Sequence, residues 1–131
     1  MISLDHTILR VRDAAESARF YQRVLDFEHE GRVGPFEVVR VNDGLTLDLR
    51  QQAPQHPTHL AFSLDRTEFE AAHRRLMQFQ IPFGGGPSDR NSGTVGRSFG
   101  ARGMADAVYF DDPDGHIVEI RTYEPTQELA Q

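Results

Sequence analysis

The chain has 131 residues, enough for one domain with a sizeable core, and its lack of cysteine excludes disulfides and thiolate metal ligands. Its formal net charge of −6, with acidic and basic residues mixed along the chain, argues against a nucleic-acid partner. We see no apolar run near the roughly 20 residues of a membrane span and no signal-peptide pattern. We therefore expect a soluble protein of the cytoplasm.

The first half of the chain predicts a β-α-β-β-β module over about residues 2–51. Its helix begins near Asp13, which heads a capping-box pattern, and ends near Asp26 after an apolar stripe at helical spacing. The dipeptide Asp43-Gly44 is a strong hairpin turn signal. The predicted strands cover about residues 2–11, 28–33, 36–42 and 45–51.

The second half repeats this order over about residues 58–123, after a polar, proline-bounded linker at 52–57. Thr67 and Glu70 form a second capping-box pattern, and apolar residues again recur at helical spacing. Residues 84–104 are rich in glycine and without periodicity, so we expect a lid or a mobile segment there. The predicted strands cover about residues 59–64, 106–111 and 116–123, and another strand starts near Pro82-Phe83. Residues 124–131 are expected to form a frayed tail of a single domain, 1–131.

Each repeat carries one histidine on its first strand and one acid on a later strand: His6 and Asp48 in the first, His59 and Glu119 in the second. Successive side chains of a strand point to opposite faces. Asp48, His59 and Glu119 therefore face away from their apolar neighbours, whereas His6 fits this pattern less strictly. A shared site would suit Zn, Fe, Ni or Mn and would leave positions open for water or substrate. A lone histidine or acid on a strand is also commonly a structural or solvated residue.

Several further polar side chains are candidates for the same face. Arg10, Arg50 and Arg121 are placed to hold an anionic group of a substrate, although arginines on strands are also often solvated or paired with acids. Arg102, with Arg90 and Arg97 on the glycine-rich segment, could close over a ligand, or belong to a flexible polar loop. These alternatives stay open, as does the choice between a catalytic and a packing role for Tyr109.

The chain resembles the vicinal-oxygen-chelate superfamily, which contains glyoxalase I, extradiol dioxygenases, fosfomycin-resistance proteins and bleomycin-resistance proteins. The resemblance implies an α+β fold of paired β-α-β-β-β modules in a cupped mixed sheet with helices outside, usually in a homodimer whose sites draw on both subunits. The matching segments are His6-Thr7-Ile8-Leu9-Arg10-Val11, Phe20-Tyr21 with Val24-Leu25, and Asp112-Pro113-Asp114-Gly115-His116 before Ile117-Val118-Glu119-Ile120.

The resemblance also implies one divalent metal (Zn, Ni, Fe or Mn) per site, held by His6, His59 and Glu119, with Asp48 as a fourth ligand. The first strand is most similar to glyoxalase I, in which an arginine at the place of Arg10 holds a glutathione carboxylate. A metal-bound glutamate of that enzyme, at the place of Asp48, abstracts a proton next to a carbonyl. We therefore expect a glyoxalase-like lyase or isomerase that acts on a small oxygen-rich substrate, with Asp48, Glu119 and Tyr109 as catalytic residues.

Three other activities of the superfamily remain alternatives. A bleomycin-resistance-type protein would sequester a drug without metal, and a small extradiol dioxygenase would use His6, His59 and Glu119 as an iron triad. Fosfomycin modification ranks lower: Tyr109 matches a tyrosine near the bound phosphonate, but Ile8 replaces a threonine and Glu128 replaces an arginine of those proteins.

Overall fold

A computed structural model describes residues 1–126 of the chain. Residues 1–58 form one compact unit, and the residues from His59 onward form a second. The first unit contains β1 (His6–Val11), α1 (Ala14–Leu25), β2 (Glu28–Val33), β3 (Phe36–Asn42) and β4 (Leu45–Gln51). The second contains β5 (His59–Ser63), α2 (Arg66–Gln78), β6 (Phe83–Gly84), β7 (Gly96–Gly100), β8 (Gly103–Asp111) and β9 (Ile117–Thr122). Both helices within residues 1–126 fall short of what a membrane crossing requires.

The first unit is a four-stranded mixed sheet with α1 on one face. Its strand order is β1-β4-β3-β2, with β1 parallel to β4 and the other pairs antiparallel. Leu47 and Leu49 of β4 are fully buried, and Gln51, on the same face, accepts a hydrogen bond from the first backbone N–H of α1. The helix therefore covers the leucine face, and the opposite face of β4 carries Asp48.

The second unit is a five-stranded mixed sheet with α2 on one face. Its main order is β5-β9-β8-β6, with β7 also paired to β8. β5 and β9 are parallel, as are their counterparts in the first unit. Val118 and Ile120 are fully buried, and they share a face with Asp106, which binds Arg66 of α2. α2 therefore covers the Val118 face, and Glu119 faces away from the helix.

The predicted α+β class and its two strand-helix-strand repeats are confirmed, with differences in both halves. β1 begins at His6 and not near residue 2. α2 begins two residues earlier than expected, because the capping box is formed by Asp65 and Glu68 and not by Thr67 and Glu70. The loop expected over residues 84–104 is interrupted by regular structure, since β7 and the start of β8 lie within it, whereas a role as a lid stays a prediction. Part of the predicted tail, residues 127–131 with Glu128, lies outside the described residues.

Candidate functional site

A histidine and a carboxylate meet on the face of the second sheet that α2 does not cover. His59 Nε2 lies 2.9 Å from Glu119 Oε1. The parallel register sets Ala61 opposite Glu119, so that His59 and Glu119 share one face of neighbouring strands. The side chain of Glu119 is 6% exposed and that of His59 is 43% exposed. A buried carboxylate is therefore held next to an imidazole that solvent and ligands reach.

The second oxygen of Glu119 is bound by Arg121, two residues along the same strand. Nη1 of Arg121 lies 2.5 Å from Glu119 Oε2, and both side chains are 6% exposed. Tyr123 Oη, Ser98 Oγ, the Ser98 carbonyl and the Gly103 carbonyl accept the other hydrogen bonds of this guanidinium. These acceptors engage all five N–H donors of Arg121, which leaves no donor for a substrate anion.

Tyr109 lies opposite Glu119 on the neighbouring strand β8. Its hydroxyl donates a hydrogen bond of 2.9 Å to Ser98 Oγ, and its ring centroid is 6.0 Å from that of His59. Burial raises the pKa of Tyr109, an effect that the negative charge of Glu119 reinforces. The phenol therefore stays protonated at neutral pH and acts as a hydrogen-bond donor next to the pair.

His6 and Asp48 lie on the uncovered face of the first sheet. β1 and β4 are in parallel register, with His6 opposite Thr46 and Ile8 opposite Asp48. The His6 Nδ1 atom lies 2.7 Å from Asp5 Oδ2, and this hydrogen bond raises the pKa of His6. Because an ionised carboxylate only accepts, Nδ1 carries the proton of the neutral ring, in which Nε2 keeps its lone pair. A carboxylate on one ring nitrogen is the usual partner of a histidine that binds metal through the other.

Thr46 orients the carboxylate of Asp48. Thr46 Oγ1 donates a hydrogen bond of 2.9 Å to Asp48 Oδ1, and the residue is half-buried. Its carboxylate is thereby oriented along the uncovered face.

Two predicted substrate-binding arginines lie side by side on this face. Arg10 and Arg50 are register partners in β1 and β4, and both are exposed. Arg10 Nε also donates to Gln52 Oε1 at 3.3 Å. Like charges directly opposite each other on neighbouring strands repel. An anion between the two guanidinium groups would relieve that repulsion.

The arginines of the predicted lid contact protein groups. Arg90 binds Asp111 at 2.5 Å, and Arg97 binds Asp106 at 2.8 Å. The guanidinium of Arg102 lies over the ring of Tyr123, 4.2 Å from its centroid. The structure thus places Arg102 beside Tyr123, whose hydroxyl also accepts from Arg121.

Within either unit, no three His, Asp or Glu side chains of the described residues form a group that could hold an ion. His59 Nε2 and Glu119 Oε1 share a hydrogen bond of 2.9 Å. Two tetrahedral ligand atoms about 2.1 Å from one ion lie roughly 3.4 Å apart, so an ion that displaced the shared proton would need only a small separation of the pair, which therefore fits as part of a ligand set. Imidazole and carboxylate are also the donors expected of a borderline divalent metal.

Ser98 is a site residue that the sequence did not indicate. Its hydroxyl accepts hydrogen bonds from both Tyr109 and Arg121. Ser98 lies on β7, in the glycine-rich segment, and its neighbour Phe99 is 81% exposed. Because β7 shows no alternation of buried apolar residues, no pattern in the sequence marks it as a strand.

Comparison with known proteins found both curated relatives and solved structures. Metallothiol transferase FosB of Lysinibacillus sphaericus (strain C3-41) is 26% identical over 126 residues, covering 92% of this chain and 82% of the relative. FosB of Shouchella clausii (strain KSM-K16) is 32% identical over 81 residues, covering 62% of this chain and 49%, or about half, of that relative. The solved structure of oxidase ChaP-H2 superimposes with a TM-score of 0.82 and 30% identity, covering 96% of each chain.

The family comparison covers nearly all of both units. The sequence profile described as Glyoxalase/Bleomycin resistance protein/Dioxygenase superfamily matches residues 3–120. The match includes both repeated histidine strands, both helices and the strand that bears Glu119. The chain therefore belongs to the glyoxalase/bleomycin resistance protein/dioxygenase superfamily, the vicinal-oxygen-chelate superfamily of the sequence analysis.

Proposed function

We propose that the protein is a metal-dependent enzyme acting on a small, oxygen-rich substrate that binds the metal through adjacent oxygens. The observation that carries this proposal is the pairing of His59 Nε2 with Glu119 Oε1 at 2.9 Å on an uncovered sheet face. Burying an ionised carboxylate is costly unless it is paired, and Arg121 supplies that pairing on Oε2, which leaves Oε1 directed at His59. A buried carboxylate beside a reachable imidazole is well suited to a ligand role.

The proposed ligands are His6, His59 and Glu119, with Asp48 as a fourth. The family resemblance supports a single metal site formed by all four residues. The geometry within each unit supports each residue separately as a ligand. His6 keeps Nε2 available because Nδ1 is bonded to Asp5, and Glu119 directs Oε1 at His59. Zn, Ni, Fe and Mn are the ions that this donor set accepts.

When bound, the metal would supply Lewis-acid stabilisation of negative charge that develops on substrate oxygens. The residues of the chain have separate tasks. Arg10 and Arg50 bind an anionic group of the substrate, in keeping with their paired, exposed positions. Tyr109 keeps its proton and fixes Ser98. Arg102 is proposed as a further substrate contact at the edge of the site.

In the glyoxalase-like reaction, Asp48 is the proposed base that takes a proton from the carbon next to a carbonyl group. Thr46 binds Asp48 Oδ1 and holds the carboxylate in one orientation, so that Oδ2 is directed as the acceptor. A base acts only within hydrogen-bonding reach of its proton. We therefore expect Asp48→Asn to abolish turnover. Because Asp48 is also a proposed ligand, metal content is measured on the same protein, and loss of turnover at full metal occupancy supports the role of Asp48 as the base.

An iron-dependent oxidase is the second candidate, favoured by the 30% identity and TM-score of 0.82 to oxidase ChaP-H2. His6, His59 and Glu119 match the composition of the two-histidine, one-carboxylate triad of non-haem iron oxygenases. The FosB relatives add thiol transfer as a third reaction, and drug sequestration needs no metal at all. The resemblance further implies a homodimer, which sedimentation of the purified protein tests.

The test is elemental analysis of purified protein, followed by titration with Zn(II), Ni(II), Mn(II) and anaerobic Fe(II). We expect one tightly bound ion per chain, and loss of binding in His6→Ala, His59→Ala and Glu119→Gln. His29→Ala is the matched control, since His29 also pairs with a glutamate, Glu37, at 2.8 Å. Protein that takes up none of the four ions would refute the proposal and favour sequestration.

Activity assays of the metal-loaded protein then distinguish the candidate reactions. Isomerisation of a glutathione hemithioacetal would support the glyoxalase-like activity. Oxygen uptake with a catechol in the iron form would support the oxidase instead. Consumption of fosfomycin with a low-molecular-weight thiol would support thiol transfer.

A further inference from the structure

A single buried guanidinium connects the carboxylate of the proposed metal site to the glycine-rich hairpin β7–β8. Arg121 is 5% exposed, and its five donors are all engaged by protein acceptors. A residue that binds substrate needs at least one donor free for it. Arg121 is therefore suited to a role that acts through another residue.

The residue on which Arg121 acts is Glu119. Because Nη1 of Arg121 donates to Oε2, Oε1, on the side of His59, is the oxygen of the carboxylate that the guanidinium leaves to a metal. An unrestrained glutamate could rotate or bind an ion through both oxygens. The hydrogen bond thus selects one oxygen and one orientation.

The hairpin holds Arg121 in turn. The Ser98 carbonyl of β7 and the Gly103 carbonyl of β8 both accept from Nη2, at 3.0 and 3.1 Å. Gly100 lies against the guanidinium so closely that a Cβ atom there would lie 2.4 Å from Arg121 Cζ. Only glycine at this position leaves space for the arginine. The glycine content that obscured the hairpin in the sequence is thereby explained at Gly100.

We propose that Arg121 is a positioning residue that, clamped by Ser98 and Gly103 over Gly100, restricts Glu119 to coordination through Oε1 beside His59. The metal part of this proposal rests on the proposed function. The orientation of Glu119 is independent of any metal. The binding of a metal and the orientation of Glu119 can be measured separately.

Two variants disturb the clamp in different ways, and each has a matched control. Arg121→Met removes the guanidinium, and Gly100→Ala displaces it without changing any charged group. Arg66→Met is the control for the first, since Arg66 is also 5% exposed but binds on the α2 side of the sheet. Gly86→Ala is the control for the second, because a Cβ atom there would meet no atom within 4 Å.

The first measurement is the ¹⁵N chemical shift of His59 Nε2 in metal-free protein, assigned with His59→Gln. The second is titration with Co(II), following its affinity and its visible absorption. We expect Arg121→Met and Gly100→Ala to shift the His59 signal, to alter the Co(II) absorption bands and to lower Co(II) affinity about 10- to 100-fold. We expect Arg66→Met and Gly86→Ala to change neither the signal nor the bands, whatever their thermal stability.

The outcomes distinguish the two proposals. If wild type binds Co(II) and Gly100→Ala and Arg121→Met leave signal, bands and affinity unchanged, the positioning role is overturned and the proposed function stands. If wild type binds neither Co(II) nor any of Zn(II), Ni(II), Mn(II) and Fe(II), but both clamp variants shift the His59 signal, the positioning role stands and the metal enzyme is refuted. An equal shift in Arg66→Met would also overturn the positioning role, because the effect would then come from general destabilisation.

Discussion

Replacing Arg66 with methionine tests how a buried arginine cluster stabilises the second unit. Arg66 is the first residue of α2, and its Nη2 atom lies 2.7 Å from Asp106 Oδ2. It also binds Glu70 and the Glu124 carbonyl. Methionine keeps much of the aliphatic volume but removes every donor. The variant therefore isolates the loss of charge and hydrogen bonds.

The expected loss in the free energy of unfolding depends on the partners that Asp106 retains in the variant. Breaking a buried ion pair from one side costs about 3–5 kcal/mol. The Asp106 side chain is 21% exposed and retains Arg97 at 2.8 Å, so we expect a loss at or below that range, about 2–3 kcal/mol in the free energy of unfolding. For a chain of this size, the melting temperature should fall by roughly 10 °C.

The pH dependence has a defined sign. Burial by itself raises the pKa of Asp106, but the hydrogen bonds from Arg66 and Arg97 outweigh it, so the pKa lies below its usual value. Such a carboxylate stabilises the fold above its unfolded pKa, and this contribution is lost as the pH falls through the folded pKa. The penalty of Arg66→Met should therefore be largest near neutral pH and shrink in acid.

The assay is urea denaturation of wild type, Arg66→Met, Asp106→Asn and the double variant, each near neutral pH and at about pH 3. In the Asp106→Asn background, Arg66→Met should cost less than in wild type. A penalty that is equal at both pH values and equal in both backgrounds would refute the assignment of this stability to the ion pair.

Three further predictions concern the second unit. Phe69→Ala removes a ring that is 1% exposed and should lower the free energy of unfolding by about 3–5 kcal/mol in urea titration; a loss below about 1 kcal/mol would contradict its place in the core. Asp65→Ala removes the N-cap of α2 and should cost about 1 kcal/mol, whereas an unchanged denaturation midpoint would argue against the capping box. Gly96→Ala would put Cβ 2.2 Å from the Gly85 carbonyl oxygen, so its melting temperature should fall below that of Gly86→Ala, and equal values would contradict this close approach.

The sequence was most predictive where burial follows a simple alternation. In β4, Leu47 and Leu49 are buried and Asp48 between them is on the other face, as the pattern indicates. The same holds for Val118, Glu119 and Ile120 in β9, except that Glu119 is itself buried. Alternation reports the face of a residue, but it does not report whether a partner then covers that face.

The sequence was least predictive where structure depends on distant contacts. β7 pairs with β8 although two of its five residues are glycines and its Phe99 is exposed, so neither propensity nor pattern favours a strand there. The five bonds of Arg121 reach three different segments of the second unit. From the sequence, an arginine on a strand is known only to carry a positive charge. Whether it binds substrate or another residue depends on hydrogen-bond acceptors that the folded chain brings next to it.

The parallel pairing of β5 with β9 has a consequence for the order of folding. His59 and Glu119 are 60 residues apart in sequence, and α2 with the strands β6, β7 and β8 lies between β5 and β9 along the chain. The β8–β9 hairpin closes a short loop at Asp112–Gly115 and costs little entropy, whereas the β5–β9 pairing closes a long one. We therefore expect the hairpin to form early and the His59–Glu119 contact to form late, so that this contact reports completed folding of the unit.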